Sequence, residues 1–275
     1  MNSPEGLTAL VTGSTDGLGR SVATELAGRG LTVLVHGRDP ERGARTIEEI
    51  RKQTGNDRVR LHLANLASLA EVRDLADAVA ESAPRLDVLV NNAGIGTGLP
   101  EGRERQESLD GIELRFAVNY LAGFLLTERL LEVLRASAPA RVVNVSSLGQ
   151  APIDFDDPML EHSYDGVQAY CQSKLAQVMH AIDLSERVDP AELTANSLHP
   201  ATYMPTKIVL SERGQALESL ELGTSAVLRL AIDPELEGVS GRFFDRLEEG
   251  AADPQAYDAD ARGRLRNLSE ELAGR

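Results

Sequence analysis

The sequence predicts an α/β fold, a parallel sheet doubly wound by helices and formed by a single domain over residues 1–275. Three observations predict it. Short β-branched or aliphatic runs alternate with longer amphipathic stretches, the order in which crossover helices join parallel strands. A glycine-rich turn at 12–19 separates the first strand candidate from the first helix candidate. No repeat, low-complexity linker or composition break marks a second domain, and one α/β domain can absorb a chain of 275 residues.

The strand candidates are 7–12, 32–36, 59–63, 86–91, 142–146, 193–198 and 241–244. Helix candidates lie near 19–29, 41–54, 68–82, 109–136, 168–188 and 217–231. This alternation places helices on both faces of the sheet. Two stretches break the pattern, 148–167 and 201–216, and both follow strands. Ligands of open α/β sheets sit beyond the carboxyl ends of the strands, so these stretches are the expected walls of a substrate site.

Composition excludes several classes. Twenty-eight basic against 43 acidic side chains give a net charge of −15, which opposes attraction to nucleic acid or an anionic membrane but leaves room for a local basic pocket. Cys171 is the single cysteine, so neither an intramolecular disulfide nor a Cys-rich zinc site is possible, as suits a reducing cytosol. Residues 1–6 lack a basic cluster followed by an apolar run, and no run approaches the ~18 apolar residues of a membrane span. The expectation is a soluble, cytoplasmic protein with no membrane or nucleic-acid partner.

The segment Thr12-Gly13-Ser14-Thr15-Asp16-Gly17-Leu18-Gly19 opens the first helix directly after the first strand. Glycines there permit a tight turn and close backbone approach, and the free N–H groups of the helix start can take a pyrophosphate. Such a turn also occurs as a plain strand-to-helix connection; its place after the first strand favours a nucleotide. The second strand ends His36-Gly37-Arg38, with no carboxylate to repel a 2′-phosphate and a guanidinium able to grip one. NADP is therefore the preferred cofactor, with NAD as the alternative. The opposing reading has Arg38 in solvent or paired with Asp39, and Asp16 sets a negative charge near the phosphate.

Tyr170 and Lys174 lie four apart in a helix candidate and so share a face. A phenol with an ordinary pKa near 10 is a poor acid or base at neutral pH, and a neighbouring ammonium lowers that value. Together they could shuttle a proton, although alone such a pair is common by chance.

With these residues in order, the chain resembles the short-chain dehydrogenase/reductase family over nearly its whole length. Thr12, Gly13, Gly17 and Gly19 match the glycine loop; Asn91-Asn92-Ala93-Gly94 follows the fourth strand; Asn119 lies within a long helix; Val145-Ser146-Ser147 closes the fifth strand; Tyr170 and Lys174 come next. The segment VNYLAGFLLT at 118–127, the extended gap from Ser147 to Tyr170 and GVSGRFF at 238–244 resemble the retinol-dehydrogenase-like branch.

The resemblance implies a Rossmann-type fold and a division of roles. Tyr170 would be the general acid that protonates a carbonyl oxygen, or the base in reverse. Lys174 would hold the nicotinamide ribose and depress the tyrosine pKa. Ser147, the second serine of its pair, would donate to the substrate oxygen, and Asn119 would position a water linking Lys174 to solvent. Ser14, Asp16 and Leu18 of the glycine loop, Asn92, Ala93, Gly94, Asn65 and Leu66 would line the nucleotide site, Asn65 standing where the family commonly has Asp. After the sixth strand the family usually shows Pro-Gly and then a threonine for the nicotinamide carboxamide. Here His199-Pro200-Ala201-Thr202-Tyr203-Met204-Pro205-Thr206 offers Pro200 and either Thr202 or Thr206.

The expected activity is NADP-dependent interconversion of an aldehyde or ketone with an alcohol, reduction being the working direction. Tyr203, Met204, Ile208, Val209 and Leu210 make one loop apolar, which suits a hydrophobic substrate. The helices at 109–136 and 168–188 resemble those of family dimer interfaces, so a homodimer is one expectation and a monomer the other. The rivals are a non-catalytic nucleotide sensor or scaffold on the same fold, and a methyltransferase; the full set Asn119, Ser147, Tyr170 and Lys174 disfavours both. His36, His62 and His199 read as hydrogen-bonded structural residues with no metal site expected, Asp154, Asp156 and Asp157 as a solvated loop, and Cys171 as a residue that packs inward.

Overall fold

The computed structural model describes residues 5–98 and 104–274. One sheet of eight strands runs through it in the order β3-β2-β1-β4-β5-β6-β7-β8, where β1 is Thr8–Val11, β2 Thr32–Gly37, β3 Val59–Leu63, β4 Val88–Asn91, β5 Ala140–Val145, β6 Leu193–His199, β7 Phe243–Asp245 and β8 Glu248–Gly250. All pairings are parallel except β7 with β8. The order reverses between β1 and β4, which places the glycine loop and the turn after β4 side by side at the carboxyl edge.

The alternation of apolar residues in the central strands divides the core into two layers. Val11, Val33, Val35 and Val90 face a layer closed by α1 (Gly17–Gly28), α2 (Pro40–Thr54) and α8 (Leu220–Ile232). Leu10, Leu34 and Leu89 face the other, closed by α3 (Leu69–Ser82), α4 (Ala122–Arg129) and α6 (Gly166–Arg187). Helix starts carry side-chain caps: Asp16 on α1, Asp39 on α2, Ser68 on α3 and Asp165 on α6 each accept from a backbone N–H of their first turn.

Four departures from the sequence reading stand out. The helix expected at 109–136 starts only near residue 114, because Gly111 (φ +77°) closes a turn on Ser108; it then runs through a π-helical turn at Phe116–Leu121, α4 and α5 (Leu131–Ala136). The stretch 201–216, expected as a loop, contains the short helix α7 (Lys207–Arg213), capped by Thr206. The antiparallel β8 extends a sheet expected to be wholly parallel. Finally, α9 (Ala259–Leu272) packs on α6, where Arg262 pairs with Glu186, Arg266 with Asp183, and Ser269 meets Tyr120 at 2.6 Å. Among the described residues no helix is long and apolar enough to cross a membrane.

Candidate active site

The glycine loop is built for close approach. Gly13 and Gly17 have φ of +63° and +51°, a region costly for residues with a Cβ. A Cβ on Gly13 would stand 2.8 Å from the backbone of Ala93. Thr12 fastens this loop to the turn after β4: its hydroxyl accepts from Asn92 N at 2.9 Å and Ala93 N at 3.0 Å, while Asn92 Nδ2 donates to Thr12 O at 2.8 Å. Leu18 is buried under the loop. Backbone held in this shape, opening into the start of α1, fits a dinucleotide pyrophosphate.

Two residues of the loop act differently from the sequence reading. Ser14 is fully buried, its hydroxyl donating to Val11 O at 2.7 Å and accepting from His36 N at 3.0 Å, so its side chain braces the loop. Asp16 meets Lys207 of α7 in an ion pair and accepts from Gly17 N. Burial pushes the Asp16 carboxyl up, yet Lys207 and the Gly17 N–H outweigh it and hold it below the ordinary range. The charge expected near a phosphate is thereby neutralised.

His36, read from sequence as structural, supports the loop directly. Gly13 N donates to His36 Nδ1 at 3.0 Å, which leaves Nε2 to carry the proton toward Ala64 O at 3.2 Å. Burial pulls its pKa down to about 4, consistent with this neutral form. Next to it Gly37 has no room for a side chain, since a Cβ would stand 2.5 Å from Thr15 Cγ2. Arg38 then emerges into solvent. Among the described residues it has no hydrogen bond or ion pair, and Asp39 accepts from Arg42 N instead of pairing with it. Asn65 turns its Oδ1 to Ala67 N at 3.1 Å and its N–H to Glu71, while the buried Leu66 lines a small cavity with Thr12, Ala93 and Asn119.

At the other end of the cleft the structure brings Ser147, Tyr170, Lys174 and Asn119 together. The two adjacent serines differ sharply. Ser146 is buried with its hydroxyl donating to Lys174 O at 2.6 Å, whereas Ser147 is half-buried, accepts from Gly149 N at 3.0 Å and stands near enough to the Tyr170 phenol to pull its pKa down. Lys174 Nζ lies 5.6 Å from the Tyr170 ring centre and donates to Val145 O at 2.9 Å and to Gln177 Oε1 at 3.0 Å. Burial pushes the phenol up to about 12, against the opposing pull of Ser147, and pulls the lysine down to about 7. The expected depression of the tyrosine pKa by lysine is therefore not found: both groups are desolvated, and burial favours the neutral form of each.

Asn119 sits in the π-helical turn, a geometry frequent at functional sites. Its side chain makes three hydrogen bonds: Oδ1 accepts from Ile95 N at 2.8 Å, and Nδ2 donates to Ile95 O at 3.1 Å and Ser173 Oγ at 3.0 Å. It thus clamps the turn after β4 to α6. Gly94 passes between Asn119 and Lys174, where a Cβ would stand 3.3 Å from Asn119 Oδ1 and 3.7 Å from Lys174 Nζ.

The alternative threonines separate. Thr202 is turned away, its hydroxyl 2.9 Å from Arg246 Nη2 and 3.0 Å from His199 Nε2. Thr206 lies against Gly17, its Cγ2 3.3 Å from where a Cβ would be. Pro200 is buried at the end of β6. Cys171, expected to pack inward, is half-buried beside the Gly149 turn, close to Ser147 and the Tyr170 ring; burial and Asp165 push its thiol pKa up, which leaves it a poor nucleophile. Asp154 and Asp157 cap backbone N–H groups of their own loop.

Sequence reasoning missed Gln177, the buried acceptor for Lys174, and Gln150, which donates to Ser147 O at 2.7 Å and accepts from Asp253 N at 2.9 Å. Gln177 lies three residues after Lys174, within reach of helical-face counting. Gln150 is read only from tertiary contact.

Comparison with known proteins identifies the family and the fold. The short chain dehydrogenase family model matches residues 7–215. Retinol dehydrogenase 13 of Mus musculus is 38% identical, over 98% of this chain and 84% of that protein. Dehydrogenase/reductase SDR family member 13 of Bos taurus is 36% identical over 99% of this chain and 74% of that one. Among solved structures, one from Mycobacterium paratuberculosis superposes with a TM-score of 0.80 at 29% identity, covering 99% of this chain and 95% of that one. RhlG of Pseudomonas aeruginosa, solved with NADP, has a TM-score of 0.70 at 25% identity over 89% of this chain and 97% of that one. The chain belongs to the short-chain dehydrogenase/reductase family, is similar to its retinol dehydrogenases, and is an NAD(P)-dependent oxidoreductase acting between alcohol and carbonyl.

Proposed function

We propose that the protein reduces a hydrophobic aldehyde or ketone with NADPH, Tyr170 supplying the proton. The observation that carries this reading is the gathering of Ser147 and the Tyr170 ring around the Gly149 turn, with the buried Lys174 amine 5.6 Å from the ring centre. The reduced nicotinamide supplies the hydride when bound. A phenol whose pKa lies near 12 keeps its proton at neutral pH, the state a general acid needs. Ser147 is placed to donate to the same oxygen as charge develops there. Lys174, brought near 7, can exchange a proton around neutral pH and so resupply the phenol.

The nucleotide preference rests on Arg38, an unpaired guanidinium at the end of β2 with no carboxylate at positions 36 or 37. Of the two threonines, Thr206, which lies against Gly17 while Thr202 is bonded to Arg246 and His199, is the one proposed for the nicotinamide carboxamide. Apolar side chains are exposed next to Ser147 (Leu148), at the start of α6 (Val167) and on α7 (Ile208 and Leu210), which supports an apolar substrate. The names of the retinol dehydrogenase relatives point the same way. Because α9 lies on α6, the chain is proposed to act as a monomer in place of the homodimer the family resemblance allowed.

A panel of apolar aldehydes and ketones, followed by loss of NADPH or NADH absorbance, tests the reading. NADPH is expected to be the better reductant, and Arg38→Ala to raise its Kd about tenfold to a hundredfold, as loss of a charged hydrogen bond implies, with NADH little changed. Equal use of both nucleotides by parent and variant would refute the phosphate assignment.

A further inference from the structure

Three segments around the cleft meet at one buried polar unit. Arg115, two residues into the helix that carries Asn119, is 2% exposed. Its Nε donates to Gly96 O at 2.9 Å and its Nη2 to Thr97 O at 2.9 Å, gripping the turn that follows Gly94. Its Nη1 donates to the Tyr164 hydroxyl at 2.6 Å and lies 3.4 Å from Glu113 Oε1. The Tyr164 hydroxyl in turn donates to Glu113 Oε1 at 3.1 Å, and Phe116 N donates to Glu113 Oε2 at 2.7 Å. Tyr164 ends the 148–167 loop, six residues before Tyr170. The turn gripped by Arg115 also meets α7, through Gly98 N donating to Glu212 Oε1 at 2.9 Å, and meets Asn119 through Ile95.

A buried ion pair offsets its own desolvation poorly and is weak evidence of a stability role. What this one does geometrically is fix the distance between two walls. We infer that Glu113, Arg115 and Tyr164 form a positioning unit that locks the substrate loop to the turn after β4 and so sets the width of the substrate cleft. Arg115 can serve because its fork reaches two carbonyls and a phenol from one rigid plane, which a lysine cannot do. The unit touches no reacting atom: it acts through the placement of Tyr170 and Ser147 relative to Asn119 and Gly94, and to that extent rests on the carbonyl-reductase reading.

Tyr164→Phe removes one hydroxyl and keeps the ring. With the best carbonyl of the panel, kcat/KM is expected to fall about tenfold to a hundredfold, the scale of a small misplacement of reactants, KM rising as the cleft widens and kcat falling as Tyr170 and Ser147 shift. The Kd for NADPH should stay within about twofold of parent, since the glycine loop is untouched. Glu113→Gln is expected to resemble it, and the double variant to be little worse than either single one, as groups acting as one unit require. Hydrogen exchange of the free chain supplies a readout independent of activity. The amides of Ile95 and Gly98, and those of Leu160, Glu161 and His162, are hydrogen-bonded. In Tyr164→Phe both sets are expected to exchange faster together. Additive kinetic losses, a raised NADPH Kd with KM unchanged, or exchange altered in one set alone would each overturn the inference. A parent inactive on every carbonyl would refute the functional reading, and concerted exchange would still decide for or against the unit.

Discussion

Alanine at position 19 and alanine at position 263 make the same chemical change in two helices, with opposite expected outcomes. In either helix, Gly→Ala gains about 0.5–1 kcal/mol because less backbone entropy is lost on folding. At Gly263 in α9 no heavy atom lies within 4 Å of the new Cβ, so the gain stands, and at this chain length it is worth about 1–1.5 °C in Tm. At Gly19 in α1 the Cβ would stand 2.4 Å from Asn92 Nδ2 and 2.5 Å from Gly13 O. Neither yields freely: Asn92 Nδ2 is committed to Thr12 O at 2.8 Å, and Gly13 O is main chain. Relieving contacts of this kind costs about 1–3 kcal/mol, which exceeds the helix gain and displaces the loop proposed to hold pyrophosphate. Gly19→Ala is therefore expected to lower Tm by a few degrees and to weaken NADPH binding about fivefold to thirtyfold, equivalent to about 1–2 kcal/mol. Thermal unfolding and titration of NADPH fluorescence check both. A Gly19→Ala protein as stable as parent, with unchanged NADPH affinity, would refute the packing argument, and a destabilised Gly263→Ala would refute the propensity argument.

Further outcomes follow from the site. Ser147→Ala is expected to lower kcat about a hundredfold to a thousandfold, on the scale of losing one donor to a developing oxyanion, while Ser146→Ala keeps its rate and loses stability; steady-state kinetics and urea unfolding of the two variants distinguish them. His36→Leu leaves Gly13 N–H and the Ala64 carbonyl unpaired, so NADPH Kd should rise with kcat at saturation retained, as nucleotide titrations will read. Lys174 has a pKa of about 7 in the fold and an ordinary lysine value when unfolded, so the unfolded chain binds the extra proton between those values. Its contribution to stability therefore rises as pH goes from about 7 toward 10. Lys174→Met should remove that slope, so urea unfolding at pH 7 and pH 9 should show the variant's relative advantage shrinking at the higher pH.

The parts of this protein that were legible in its sequence are those set by periodicity and backbone geometry. The seven parallel strands have apolar runs long enough to register, and Gly13, Gly17 and Gly19 betray a loop that only glycine can form. What escaped was set by contacts remote in sequence. Helix α7 has seven residues, none of them buried, so it lacks an apolar stripe. Helix α9 is strongly polar and interrupted by Gly263, and is held by its arginines on α6. Ser147 is distinguished from Ser146 by its place in the pair, whereas Thr202 and Thr206 differ only in where the chain turns them, Thr202 toward Arg246 and Thr206 toward Gly17. The pKa direction of Tyr170 is not legible because a four-residue spacing shows that Lys174 is near but not that both groups are desolvated.

The central claim is that the Tyr170 phenol delivers the proton as hydride arrives. Single-turnover oxidation of NADPH by Tyr170→Phe, with the nucleotide bound to saturation and a carbonyl that the parent reduces, tests it most directly. Removing a general acid should slow the turnover by about a hundredfold to ten-thousandfold while the Kd for NADPH stays that of the parent. A variant that oxidises bound NADPH at the parent's rate would contradict the account.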